Sequence, residues 1–343
     1  MSKIYVIAEM AYSHDGSTEL AKDIISKAKR AKADAISIHF TDMPNYMVPH
    51  YGSGPGRVSA GKDTQPIYDY LVEISPTFEA WAQIVSHARA EKLDVVVMPN
   101  DHASFRFAET LEPNAYVLSA ACFEEYNFIT EIGATGRAIY LRVGGATLGE
   151  IENVINLLRD SGNKNVTLLY GHQNYPTQIS DTNLNYLPLL QQTFGLPVGI
   201  ADHVNAEDEF SGIAPLLAIP LGITCIEKHI THDRSLRGED HESALNENEL
   251  ALLVERIRKA EQALGPTNLQ GLVEASASYR ANVRKRVVAA RDIPEGELIT
   301  ADAVICKRAD EGMSPSQLSL IVGRHAARNI DVHSGIELDQ LAP

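Results

Sequence analysis

The chain has 343 residues, 44% of them hydrophobic, which suits two domains or one large α/β barrel with an appendage. Its 45 acidic and 30 basic residues leave a net charge of −15, a field that repels phosphodiester backbones and argues against a nucleic-acid partner. A small anionic substrate stays open, because it feels the local pocket more than the global field. The cysteines Cys122, Cys225 and Cys306 are far apart and in no metal-type spacing, as expected in a reducing compartment without a disulfide framework. The start of the chain reads as a short strand rather than a signal peptide, and no run reaches about 18 apolar residues. The expected setting is the cytoplasm, with no membrane partner.

Short β-rich runs recur at 4–9, 35–40, 94–98, 116–119, 138–142, 166–170, 198–201 and 224–229. Most are continuously apolar, as parallel strands covered on both faces must be. Between them lie helical stretches with an apolar stripe. In 18–32, Leu20, Ala21, Ile24, Ile25 and Ala28 form one face while the lysines point away, and Ser17 suits the N-cap. The stretches 151–158 and 250–263 read the same way. Eight strands alternating with helices predict a (β/α)8 TIM barrel, with a doubly wound open sheet as the alternative. Residues 41–77 break the pattern with no clean period, and a loop this long would lie over the barrel mouth. The barrel is expected to span 1–265. A linker at 266–283 and a small β-rich domain at 284–343 follow. That domain has a turn at Ile293-Pro294-Glu295-Gly296-Glu297 and a helical stretch at 315–322. Its size predicts that it docks onto the barrel or a neighbouring chain.

Barrel active sites lie at the C-terminal ends of strands. Those ends carry Glu9, His39, Asn100-Asp101-His102, Arg142, His172, Asp202-His203 and His229. Neighbouring strands would bring His203 and His229 within reach of one divalent ion, with positions left open for substrate. The competing reading of each histidine is a structural one, bonded to a backbone carbonyl.

Several ordered motifs then resemble one family, the sialic acid synthases and related nonulosonic acid synthases. They are Glu9-Met-Ala-Tyr-Ser-His14-Asp-Gly16, Tyr175-Pro176-Thr177, Asp202-His203, Glu227-Lys228-His229 and Gly238-Glu239-Asp240-His241. In the tail, Asp292-Ile293, Gly296-Glu297 and Lys307-Arg308 through Gly312 resemble its antifreeze-like (SAF, β-clip) domain. The resemblance implies condensation of phosphoenolpyruvate with an N-acylated aldose of the N-acetylmannosamine kind, releasing phosphate. It implies His203 and His229 as ligands of a divalent metal, manganese foremost, with magnesium, cobalt, iron or zinc as alternatives. Glu9, Asp240 and Tyr175 are the implied catalytic residues: Glu9 orients or deprotonates a water or sugar hydroxyl, Asp240 holds sugar hydroxyls, and Tyr175 lines the phosphoenolpyruvate end with Gln173. Arg308 would reach the acylamino group from the tail of a partner subunit, in a domain-swapped homodimer.

The chain departs from the family at three strand ends. Lys-Phe-Gln becomes Ser37-Ile38-His39, Lys-Ile-x-Ser-x-Glu becomes Val117-Leu118-Ser119-Ala120-Ala121-Cys122, and Ser-Thr-Gly becomes Arg142-Val143-Gly144. Two lysines suited to phosphoenolpyruvate are thereby lost, at roughly 1.5–3 kcal/mol for each charged hydrogen bond. Arg142 either replaces them as an anion clamp or forms a rim salt bridge. His39 and His172 either bind substrate, enlarge the metal's ligand set or serve as acid–base groups. Cys122 reads as a packed thiol. Two other functions therefore stand beside the synthase: a metal-dependent aldolase or lyase with a changed, pyruvate-like donor, and a sugar-binding pseudoenzyme.

Overall fold

A computed structural model describes residues 3–51, 66–236, 240–265 and 270–342. Eight strands, β1 Tyr5–Glu9, β2 Ala35–Phe40, β3 Asp94–Pro99, β4 Ala115–Leu118, β5 Ala138–Arg142, β6 Val166–Tyr170, β7 Val198–Asp202 and β8 Cys225–His229, form a closed parallel barrel in chain order. Each lies within one residue of the run read from sequence. Strand β1 pairs with both β2 and β8, which rules out the open doubly wound sheet.

The helices are α1 Thr18–Arg30, α2 Met43–Tyr46, α3 Ile67–Ile74, α4 Phe78–Ala90, α5 His102–Thr110, α6 Tyr126–Ala134, α7 Leu148–Asp160, α8 Tyr186–Phe194, α9 Ala214–Ala218 and α10 Glu247–Leu264. In α1, the Ser17 side chain accepts from the Leu20 N–H, as an N-cap should, and Lys27, Lys29 and Arg30 oppose the negative end of the helix dipole. Ala21, Ile24, Ile25 and Ala28 are its buried stripe. Truncating Ile24 to alanine would cost about 2–5 kcal/mol.

Strand residues alternate between two cores. Val6, Ala8, Ile36, Ile38, Val95 and Val97 pack outward against the helices. Ile7, Ala35, Val96, Met98, Ala115 and Val117 fill the barrel interior. Leu169, Ala201 and Cys225 pack with Tyr5 and Tyr140 in the same interior. This period of two fixes which strand-end side chains point into the mouth. The strand ends also close tightly on one side. A Cβ on Gly144 would lie 1.7 Å from the carbonyl oxygen of Gly171, and one on Gly171 would lie 1.8 Å from that of Ala201.

Segment 41–77 is not the irregular loop expected. Its described part contains α2 and α3, and Met43, Tyr70, Leu71 and Ile74 form a small core of their own. Residues 52–65 lie outside the described residues. The short apolar stripe of α3 is bounded by prolines on both sides, which masked its period in the sequence.

The chain divides into two compact units, Met1–Gly265 and Pro266–Pro343. In the second, the stretch read as a linker carries a helix, α11 Gln270–Val283. Strands β9 Lys285–Ala289 and β10 Val304–Arg308 pair antiparallel over a core that includes Val287, Ile293, Ile299, Ile321, Ile330 and Ile336. The stretch expected to be helical is a 3-10 segment, Pro315–Leu320. No helix among the described residues is long and apolar enough to cross a membrane.

Candidate active site

Inward-facing strand ends gather at the C-terminal mouth of the barrel. The register sets Glu9 beside His229 on one side and beside Ser37 on the other. Asp202 pairs with Lys228, so the next residue, His203, falls beside His229. The two imidazole rings lie with centroids 5.1 Å apart at 71°. His203 Nδ1 lies 2.7 Å from the carbonyl oxygen of His172, which can only accept, so the proton sits on Nδ1 and Nε2 offers a lone pair. Glu9 lies between two histidines. One carboxylate oxygen is 3.2 Å from His229 Nε2 and the other is 3.2 Å from His39 Nε2. The second of these oxygens also accepts from the Ala11 N–H.

The electrostatics follow from burial and from this packing. Burial pushes the Glu9 carboxyl up, but His39, His229 and then Arg142 outweigh it and hold the group below the ordinary carboxylate range. Burial lowers His229 to about 4 despite the Glu9 carboxylate. It also takes His203 well below its usual value, with His229 and Arg142 adding to the effect. Both imidazoles are therefore neutral near pH 7, the form that binds metal.

Across the interior, Arg142 on β5 reaches Glu227 on β8, with Nη2 2.6 Å from Oε1. Arg142 is 2% exposed and Glu227 is fully buried. Burial alone would lower the Arg142 guanidinium and raise the Glu227 carboxyl; Glu227 and Glu9 keep the arginine firmly charged, while Glu227 stays above its ordinary value.

Buried polar atoms that make no well-aligned hydrogen bond concentrate in this mouth: Ser37 Oγ, Arg142 Nε, His203 Nε2, Glu227 Oε2 and His229 Nδ1, together with Glu9 Oε2, His39 Nε2 and His229 Nε2, whose only polar neighbours are the 3.2 Å contacts of Glu9 with the two histidines. Native interiors satisfy such atoms, and a cluster of orphans on convergent strand ends marks a place built for a polar ligand. Among the described residues no three His, Cys, Asp or Glu side chains are arranged to hold a metal by themselves. The orphaned His203 and His229 nitrogens nonetheless fit a divalent ion as a pair, with water or substrate completing its shell.

Other residues singled out in the sequence fall around this cluster or away from it. Tyr175 caps it, its ring 4.7 Å from that of His203 and 5.5 Å from that of His229. Its hydroxyl donates to Gln173, and burial followed by the Asp240 carboxylate raises its pKa. Asp240 is thus near the mouth, with backbone in the left-handed region at φ 61°, while Gly238 and Glu239 lie outside the described residues. His172 gives the site its carbonyl, not its imidazole. That ring packs on Tyr170, because β6 alternation turns it toward the helix layer. Arg308 is exposed at the end of β10 in the second unit. Asp101 caps α5 through the Ser104 N–H and also holds the Asp42 N–H, and His102 pairs with Glu131 at the surface. Burial and then Glu125 push the Cys122 thiol up to about 12, a packed and unreactive group.

Glu227 escaped the sequence reading as a site residue, although its place two residues before His229 puts it on the same inward face. Lys228 and Asp202 face the other way and pair at 2.6 Å behind the site, tying the ends of β7 and β8 together.

Fold and cluster together define a (β/α)8-barrel protein with a polar, ligand-ready mouth and a separate β-rich C-terminal unit. The NeuB family model matches residues 24–268 and the SAF domain model matches residues 284–342. The chain belongs to the NeuB family and carries a SAF domain after its barrel. It is 29% identical over 330 residues to a pseudaminic acid synthase of Campylobacter jejuni, covering 96% of this chain and 94% of that one. It is also 29% identical over 335 residues to an N,N'-diacetyllegionaminic acid synthase of the same species, covering 96% and 97%. The solved structure of N-acetylneuraminic acid synthetase from Leptospira borgpetersenii, in complex with citrate, superposes with a TM-score of 0.70 at 22% identity. That match covers 81% of this chain and 92% of the other, a likeness of fold.

Proposed function

We propose that the chain is a nonulosonic acid synthase, condensing phosphoenolpyruvate with an N-acylated aldose of the N-acetylmannosamine kind and releasing phosphate. The observation that carries this reading is the convergence of Glu9, His203 and His229, with buried polar atoms that make no well-aligned hydrogen bond, at the mouth of a NeuB-family barrel.

His203 and His229 would hold a divalent ion, manganese foremost, through neutral imidazole nitrogens. When bound, that ion supplies a Lewis acid for the sugar aldehyde. Glu9, held below the ordinary carboxylate range and so ionised, holds or removes a proton from a water or sugar hydroxyl in contact with it. Asp240 takes sugar hydroxyls. Tyr175 and Gln173, joined by their hydrogen bond, cover the site and exclude water from it. The reading includes a homodimer in which Arg308 of one tail serves the other barrel. In the net reaction the donor's enol carbon forms a bond to the aldehyde carbon, water adds to the donor's C2, and the C2–phosphate link is lost.

A second reading keeps the barrel and changes the donor to a pyruvate-like acid, as in an aldolase. It is favoured by Val117, which stands where the family pattern that the chain resembles has a lysine and which faces inward, buried in the interior apolar core. Phosphate release from phosphoenolpyruvate, with manganese and a panel of N-acylated aldoses, tests the synthase. Release that needs both an acceptor and His203, with His203→Ala as the blank, supports it. Its absence in folded, metal-loaded protein moves the case to the second reading. Absence of turnover with pyruvate as well leaves the pseudoenzyme.

A further inference from the structure

Of the two cations buried among the described residues, Lys228 is taken by Asp202 on the outer face of the barrel. Arg142 is the inward one. Its partner Glu227 uses a single N–H of a fork that has five, and the fit is incomplete on both sides: Arg142 Nε has no acceptor and Glu227 Oε2 has no donor. A structural ion pair in so dry a place should saturate its hydrogen bonds, because each unmet group costs free energy. The partner of Arg142, Glu227, lies two residues before His229 on the same inward face of β8, so the ion pair sits one layer beneath His229 and Glu9. It therefore lies in the floor of the histidine cluster and not at the rim.

We propose that Arg142 is the donor-binding residue of this site, gripping the donor's carboxylate through the N–H groups that Glu227 leaves free, with Glu227 as its fixed counter-ion. This rests on the reading of the chain as a condensing enzyme. A carboxylate fits better than a phosphate. The planar fork matches it, and Glu227 already neutralises one charge. A dianionic phosphate would face two buried carboxylates, Glu227 and Glu9, across one guanidinium. Phosphoenolpyruvate and pyruvate share this carboxylate, so the clamp serves either donor.

The test measures binding of phosphoenolpyruvate and, separately, pyruvate to the full, metal-free chain by calorimetry. Arg142→Lys keeps the charge and loses the fork. The double variant Arg142→Gln with Glu227→Gln removes both charges without leaving either one buried alone, so it protects the fold. Both variants should weaken both donors to a similar degree, by about 30-fold or more in the double variant. Glu227→Gln alone should tighten both several-fold, an effect that a merely structural pair would not produce. Loss confined to phosphoenolpyruvate would make Arg142 a phosphate ligand and overturn the proposal. So would unchanged affinities in the variants, or no binding of either donor to the native chain. If the native chain binds the donors as described yet converts no sugar of the panel, the synthase reading falls and the clamp stands.

Discussion

His203 Nδ1 donates to the carbonyl oxygen of His172 at 2.7 Å, so the ring of one residue is oriented by the backbone of the other. This bond sets the tautomer of His203 and leaves the lone pair on Nε2. The side chain of His172 packs on Tyr170, apart from this bond. His172→Ala should therefore leave divalent-metal affinity within a few-fold of native, measured by equilibrium dialysis. A loss of 100-fold would place the imidazole itself in the site.

His39 and Glu9 give a second prediction. An amide at position 39 can still donate to the Glu9 carboxylate, whereas an alkyl group cannot. His39→Gln should retain turnover within about tenfold, and His39→Leu should lose about 100-fold or more, in line with one positioned acid–base group. Equal losses in the two variants would show that the imidazole has a role beyond holding Glu9.

The pair Asp202–Lys228 lies buried behind the histidines, with nearly no exposure on either side chain. Lys228→Met alone leaves a buried carboxylate and should cost about 3–5 kcal/mol in denaturant unfolding. Adding Asp202→Leu should recover most of that loss. No recovery would mean that the lysine acts through its packing.

Acid stability follows from His14. Burial, then the charge of His39, lowers its pKa from 6.5 to about 3, and its Nδ1 accepts from the Gly16 N–H. A histidine kept neutral in the fold favours the folded state above its unfolded pKa and opposes it below. As pH falls from about 6.5 toward 3, the unfolded chain binds a proton that the folded chain refuses. Stability should drop by about 1.4 kcal/mol per pH unit from this group. His14→Asn, whose amide oxygen can still accept from Gly16, should flatten the slope by about one proton. An unchanged slope would refute the assignment.

The barrel was legible in the sequence because parallel strands buried on both faces show as apolar runs with sharp ends, such as 35–40. Glu9, His39, His203 and His229 were legible because strand ends define the mouth. Orientation was harder to read. His172 and His203 look alike in sequence, yet one follows β6 on the outward phase and the other follows β7 on the inward phase. Arg142–Glu227 was hidden because its partners sit on β5 and β8 and meet only across the closed interior. Helix α3 was hidden because its eight residues carry too few turns to show a period.

The proposed synthase depends first on a divalent ion held by His203 and His229 together. Titrating the full chain with manganese and following free ion by electron paramagnetic resonance tests it without any substrate. One ion per chain, lost in both His203→Ala and His229→Ala while each variant melts as a folded protein, is the predicted result. Manganese binding that survives either substitution unchanged would contradict it.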